Sequence, residues 1–111
     1  MTIQTIKESN ATVVTISGRM DAMTAPEYEK TLNEFIASGE TSFVVDFQGL
    51  DYISSAGLRA LLATAKLLKT KGGQILLSNV LGTVREVFDI SGFGTIFKIK
   101  DSVADALADL G

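Results

Sequence analysis

The chain has no cysteine and no histidine among its 111 residues. Without cysteine there is no disulfide framework, no thiolate metal site and no sulfur nucleophile. Without histidine the commonest transition-metal ligand is missing, and so is the usual general base. Positive charge is also scarce. Ten Lys and Arg stand against thirteen Asp and Glu, a formal net charge of −3, whereas nucleic acid demands a basic footprint. Lysines cluster only at Lys66, Lys69 and Lys71 and again at Lys98 and Lys100. These read as a solvated helix face and an edge strand. No apolar run reaches the ~18 residues of a membrane span. Met1-Thr2-Ile3-Gln4 lacks the charged and apolar regions of a signal peptide. A cytoplasmic location is therefore expected, with neither membrane nor nucleic acid as partner and no cofactor or metal implied.

What is present is a globular composition, 46% hydrophobic and 21% charged, in a chain long enough to bury a core without staples. Residues 1–111 read as one domain in which strand and helix patterns alternate, the mark of an α/β fold with a mostly parallel sheet. Ile3–Lys7 and Thr12–Ser17 are rich in Ile, Val and Thr and flank the turn signal Ser9-Asn10, so they are expected to form a hairpin that Gly18 ends. Thr24 is a candidate N-cap, with Pro26, the sole proline, in the first turn. Tyr28, Leu32, Phe35 and Ile36 then recur at helical spacing until Gly39. Phe43–Phe47 is a nearly continuous apolar run suited to a central strand. A second helix carries Leu58, Leu61, Leu62, Ala65 and Leu68 on one stripe, with Arg59, Lys66 and Lys69 elsewhere, and stops at Gly72-Gly73. Gln74–Ser78 reads as a strand, Thr83–Ile90 as a helix ended by Gly92, and Thr95–Ile99 as an edge strand. A last helix bearing Val103, Ala106, Leu107 and Leu110 is capped by Asp101 or Ser102. The sum is about five strands, including an N-terminal hairpin, and about four helices.

In an open α/β sheet, ligands and partners use the loops at the carboxyl ends of the parallel strands. Asp21 and Met23 follow the second strand, Asp46 and then Ser54 and Ser55 the third, Ser78 and Asn79 the fourth. With right-handed crossovers all are expected on one rim. Ser54-Ser55 opens a helix and admits two readings. One serine can simply be the N-cap. One cap is enough, however, and if Ser54 fills that role the Ser55 hydroxyl is free. The free N–H groups and positive dipole of a first turn suit a hydroxyl that becomes a phosphate. Catalysis by Ser55 is a poor match. No base stands near in the motif, and the surroundings are not G-x-S-x-G. A kinase supplies its own base and metal, so Ser55 reads as a phosphoacceptor in a chain that is a substrate and not an enzyme. Gly57, early in the helix, costs roughly 1 kcal/mol relative to Ala. It either leaves room for an approaching protein or permits close helix–sheet packing.

Several segments together resemble the STAS family, in particular the free-standing bacterial anti-sigma factor antagonists. They are Gly18-Arg19-Met20-Asp21 followed by Pro26-Glu27, Val44-Val45-Asp46-Phe47, and Leu50-Asp51-Tyr52-Ile53-Ser54-Ser55-Ala56-Gly57-Leu58. Val84-Arg85-Glu86-Val87-Phe88 with Gly92-Phe93, and the closing Asp101–Leu107, add support. The central motif is specific, and the likeness spans nearly the whole chain. The resemblance implies a STAS fold and a partner-switching cycle. In that cycle the unmodified antagonist binds an anti-sigma factor that is itself a Ser/Thr kinase, which frees a sigma factor. The kinase phosphorylates the motif serine and the complex falls apart, and a metal-dependent Ser/Thr phosphatase resets the protein. Ser55 carries over as the acceptor. Some members place Asp where this chain has Ser54, and Ser or Thr where it has Ala56. Ala56 cannot be the acceptor, which leaves Ser55 first and Ser54 second. Asp21 matches an acidic residue near the phosphosite in the family.

The expected partner-binding residues are Asp21, Met23, Ser54, Ser55, Gly57 and Arg59, with the exposed side of the helix around Ala60, Ala63 and Leu67. A second reading keeps the fold and drops the phospho-switch, giving an interaction module in a lipid-transport complex or a biofilm or motility regulator. A nucleotide-binding role finds no G-x-x-x-x-G-K-[ST] loop.

Overall fold

In the computed structural model, which describes residues 1–110, five strands pair in chain order into one sheet. β1 (Thr2–Lys7) runs antiparallel to β2 (Thr12–Met20). β2, β3 (Ser42–Ile53), β4 (Gln74–Ser78) and β5 (Lys98–Lys100) are mutually parallel. Four helices alternate with the strands: α1 (Ala25–Ala37), α2 (Ser55–Thr70), α3 (Gly82–Ser91) and α4 (Val103–Leu110). Among the described residues no helix is long and apolar enough to cross a membrane.

The two sheet faces are covered unequally. Val14, Ile16, Phe43, Val45, Phe47 and Leu77 point to one face, where α1 contributes Tyr28, Leu32 and Ile36, α2 Leu58, Leu61 and Leu68, and α3 Val84 and Phe88. On the other face Ala11, Val13, Val44 and Leu76 meet only α4, through Ala106 with Val103, Leu107 and Leu110 around it. Phe88 stands edge-on to Phe47 and Phe93, with ring centroids 5.8 and 6.4 Å away, an arrangement that suits the aromatic quadrupoles. The Tyr28 hydroxyl lies 2.7 Å from Thr64 Oγ1 and so joins α1 to α2 inside the core. Burial pushes the Tyr28 phenol well above its ordinary range.

Three boundaries differ from the sequence expectation. β2 does not end at Gly18. It continues to Met20, with Gly18 at φ +90°. The last strand is Lys98–Lys100 and not Thr95–Ile99, because Phe93–Thr95 closes a 3₁₀ turn that stacks Phe93 on Phe97. Most consequential, β3 does not stop near Phe47 but runs on to Ile53. Two bulges make this possible. Asp46 pairs with Thr15 but Gly49 with Ser17, and Leu50 pairs with Gly18 but Tyr52 with Arg19. Each inserted residue shifts the side-chain alternation by one place. Phe47, Leu50 and Ile53 therefore all reach the same core, and Asp51 and Tyr52 are left facing out.

Candidate functional site

Met20 and Ile53 end β2 and β3 side by side, and both are buried. Immediately beyond them the Ser54 N–H donates to the Met20 carbonyl at 2.9 Å, which ties the start of α2 to the end of β2. Ser54 has extended backbone angles, φ −95° and ψ 174°, and its Oγ accepts from the Gly57 N–H at 3.3 Å. It is the N-cap. Ser55 is thereby the first helical residue, and it is exposed. Replacing Ser54 with alanine removes the side-chain acceptor for an amide in the first turn. The expected cost is about 1 kcal/mol of stability, read from urea unfolding. An unchanged midpoint would show that the cap bond contributes nothing.

The loop from β2 to α1 borders this helix start. The Asp21 carboxylate accepts from the Met23 and Thr24 amides at 3.0 and 3.2 Å. The Met23 amide contributes most to holding the Asp21 carboxyl below its ordinary value. A smaller desolvation opposes it, and Thr24 and Arg19 add further lowering. Thr24 stands at the N-cap position of α1, as its type suggests, but its hydroxyl does not bond a helix amide. It donates to the Arg19 carbonyl and accepts from the Asp21 amide, and so closes the loop. Met23 projects from this loop, 89% exposed.

Two further residues that sequence reasoning did not assign to the site stand here. Arg19 and Tyr52 are register partners on β2 and β3, and the guanidinium carbon sits 4.1 Å above the Tyr52 ring, a cation–π contact. Arg19 Nε also lies 4.0 Å from Asp21 Oδ2. Neither type nor spacing reveals this pair, because it depends on the second bulge of β3. On the far side, Thr83 Oγ1 donates to the Asp51 carbonyl at 3.1 Å and brings the exposed Leu81 at the start of α3 alongside.

The structure redistributes several expected residues. Asp21, Met23, Ser54, Ser55 and Arg59 share one rim, and all but Asp21 and Ser54, which are half-buried, are exposed. Gly57 is not on that surface. It is buried, and a Cβ there would lie 2.8 Å from Ile53 Cγ1 and 2.9 Å from the Met20 carbonyl oxygen. Of the two reasons for a glycine, close helix–sheet packing is the one realised. Ala60 is also buried, and Leu67 is half-buried against the core, whereas Ala63 is exposed. Asp46, Ser78 and Asn79 gather, but not with Ser54. Asn79 Nδ2 and Ser78 Oγ reach Asp46 Oδ1 at 2.8 and 3.4 Å. Asp46 is opposite Thr15, five residues before Met20, roughly 17 Å of strand. The extension of β3 moves Ser54 that far past the end of β4. The hollows in the surface beside β5 and α4 (Lys100, Asp105, Asp109), along α1 (Thr31, Glu34, Ser38) and between the β1–β2 turn and the start of β3 (Lys7, Asn10, Glu40) have none of the rim residues in their lining.

Chemically, the rim presents a free hydroxyl at a helix start, an exposed thioether, a stacked arginine and a second arginine on α2. That arrangement suits docking and modification.

Comparison with known proteins adds the following. The pattern of the STAS domain matches residues 2–106. BtrV of Bordetella bronchiseptica, described as a candidate anti-sigma factor antagonist, is 40% identical over 96 residues, covering 86% of this chain and 83% of its own. A candidate anti-sigma factor antagonist from Thermotoga maritima has the same fold, with TM-score 0.91 at 17% identity over 97% of this chain and 93% of that one. The Bacillus cell fate determinant SpoIIAA, an anti-sigma factor antagonist, has been solved unphosphorylated and phosphorylated. The two forms match with TM-scores of 0.76 and 0.75 at 22% and 23% identity, over 97% of this chain and 96% and 97% of theirs.

Proposed function

The chain belongs to the STAS domain family, and from that premise we propose that it is an anti-sigma factor antagonist switched by phosphorylation of Ser55. Unmodified, it docks on an anti-sigma factor that is a Ser/Thr kinase, and a sigma factor is released. The kinase transfers phosphate to Ser55, the complex separates, and a metal-dependent Ser/Thr phosphatase restores the hydroxyl. The chain itself performs no catalysis.

One observation carries this reading. Ser54 is occupied as the cap while Ser55, beside it, is exposed at the first helical position. An added phosphate is favoured there by the dipole and the free amides of the first turn. The modification therefore acts on whatever docks and leaves the fold intact. SpoIIAA in its two forms supports this, since both carry the fold described here.

The test is direct. The protein is incubated with ATP and the anti-sigma factor kinase from the same genome, and the product is mapped by mass spectrometry. Phosphate on Ser55 is the expected result. Label confined to sites outside Ser54 and Ser55 would refute the assignment, and label on Ser54 alone would move the switch to the capping residue.

A further inference from the structure

The rim holds two arginines in different states. Arg19 is committed, stacked on Tyr52 and facing Asp21. Arg59 is exposed and, among the described residues, forms no ion pair. It stands four residues after Ser55 on α2, and α2 has no Asp or Glu anywhere in its sixteen residues.

We infer that Arg59 captures the phosphate of phosphorylated Ser55 within the same helix. The reading rests on Ser55 being the modified residue. Positions i and i+4 of a helix lie on one face with Cβ atoms about 5–6 Å apart, and an anion placed N-terminal to its cation is the favourable order. A phosphate offers three acceptor oxygens, and a guanidinium meets them with a planar fork. The neighbouring groups do not compete. Asp21 already accepts two backbone amides and faces Arg19, while Asp51 and Tyr52, on the adjoining end of β3, bring no cation. Phosphorylation thus changes the rim twice. It adds a bulky anion, and it withdraws an exposed arginine that, among the described residues, forms no ion pair.

Phosphoserine is installed at position 55 by genetic encoding, so the outcome does not depend on whether any kinase acts there. The second ionisation of the phosphate is then followed by phosphorus NMR in the wild type, Arg59→Gln, Arg59→Lys and Arg19→Gln. Glutamine and lysine keep helix propensity, and Arg59 is exposed, so each variant is expected to fold. Unstructured phosphoserine titrates near about 6. The wild type should titrate lower than Arg59→Gln by roughly 0.15–0.4 pH unit, with Arg59→Lys between them and Arg19→Gln close to wild type. Superimposable wild-type and Arg59→Gln curves overturn the inference. So does a larger displacement in Arg19→Gln than in Arg59→Gln.

Discussion

Substituting Ser55 by aspartate is expected to weaken binding to the cognate anti-sigma factor by about 1–3 kcal/mol, roughly 5- to 150-fold in Kd. Ser55→Ala should bind as the wild type does and resist release by ATP. The argument is electrostatic and steric. Ser55 is exposed at the first position of α2, among Met23, Asp21 and Arg59. A partner covering this rim excludes water, so a fixed negative charge there loses hydration and meets whatever acidic groups the partner presents. Aspartate brings one charge where phosphate brings about 1.5 to 2, and lacks its bulk, so it understates the true switch. The helix itself gains from an acid in its first turn, and circular dichroism of Ser55→Asp should match the wild type. Titration calorimetry against the kinase gives the affinities. Equal affinity for all three proteins would mean that the partner does not cover Ser55.

Gly57→Val is expected to destabilise the protein by about 3 kcal/mol in urea unfolding. An ordinary glycine inside a helix behaves the other way, since Gly→Ala there stabilises by roughly 1 kcal/mol. Here the added Cβ falls 2.8 Å from Ile53 Cγ1, 2.9 Å from the Met20 carbonyl oxygen and 3.1 Å from Met20 Cγ. The Met20 carbonyl is backbone in the paired part of the sheet, so it is the helix that must move. That same oxygen accepts the Ser54 N–H, and displacement of α2 therefore disturbs the capping serine and the residue after it together. Gly57→Ala carries the same Cβ but recovers helix propensity, so it should cost about 1–2 kcal/mol. A stabilised Gly57→Ala would show that the contact relaxes freely. A slower rate of phosphate incorporation in Gly57→Ala, at a temperature where it is folded, is the functional counterpart.

The order of elements was legible in the sequence because most strands and helices of this fold carry an apolar pattern or run of their own. The hairpin, Gln74–Ser78 and the stripe of α2 are the clear cases. Ser54 and Ser55 were legible as a helix start because serine is a favoured cap and the apolar stripe begins three residues later. What misled was Phe47-Gln48-Gly49-Leu50-Asp51-Tyr52-Ile53. The continuous apolar run stops at Phe47, and Phe47, Leu50 and Ile53 then recur every third place instead of alternating, so the strand was read as ending at Phe47. Two bulges convert that spacing into strand, and a bulge is defined only against its partner strand,. The consequence reaches the site. Asp46 was assigned to the rim beside Ser54, whereas the length of β3 places it well short of there.

The sequence alone determined an α/β domain without thiol or imidazole chemistry, and a pair of serines at a helix start with one more hydroxyl than capping requires. The tertiary structure decided which serine caps and which faces solvent. It also decided that Gly57 serves packing, and that Arg19 is held by Tyr52 while Arg59, among the described residues, forms no ion pair. The division has a physical cause. Periodicity and capping are local properties, carried by residues within a few positions of one another. Exposure, stacking and register depend on strands that are distant in the chain, and they exist only once those strands have paired.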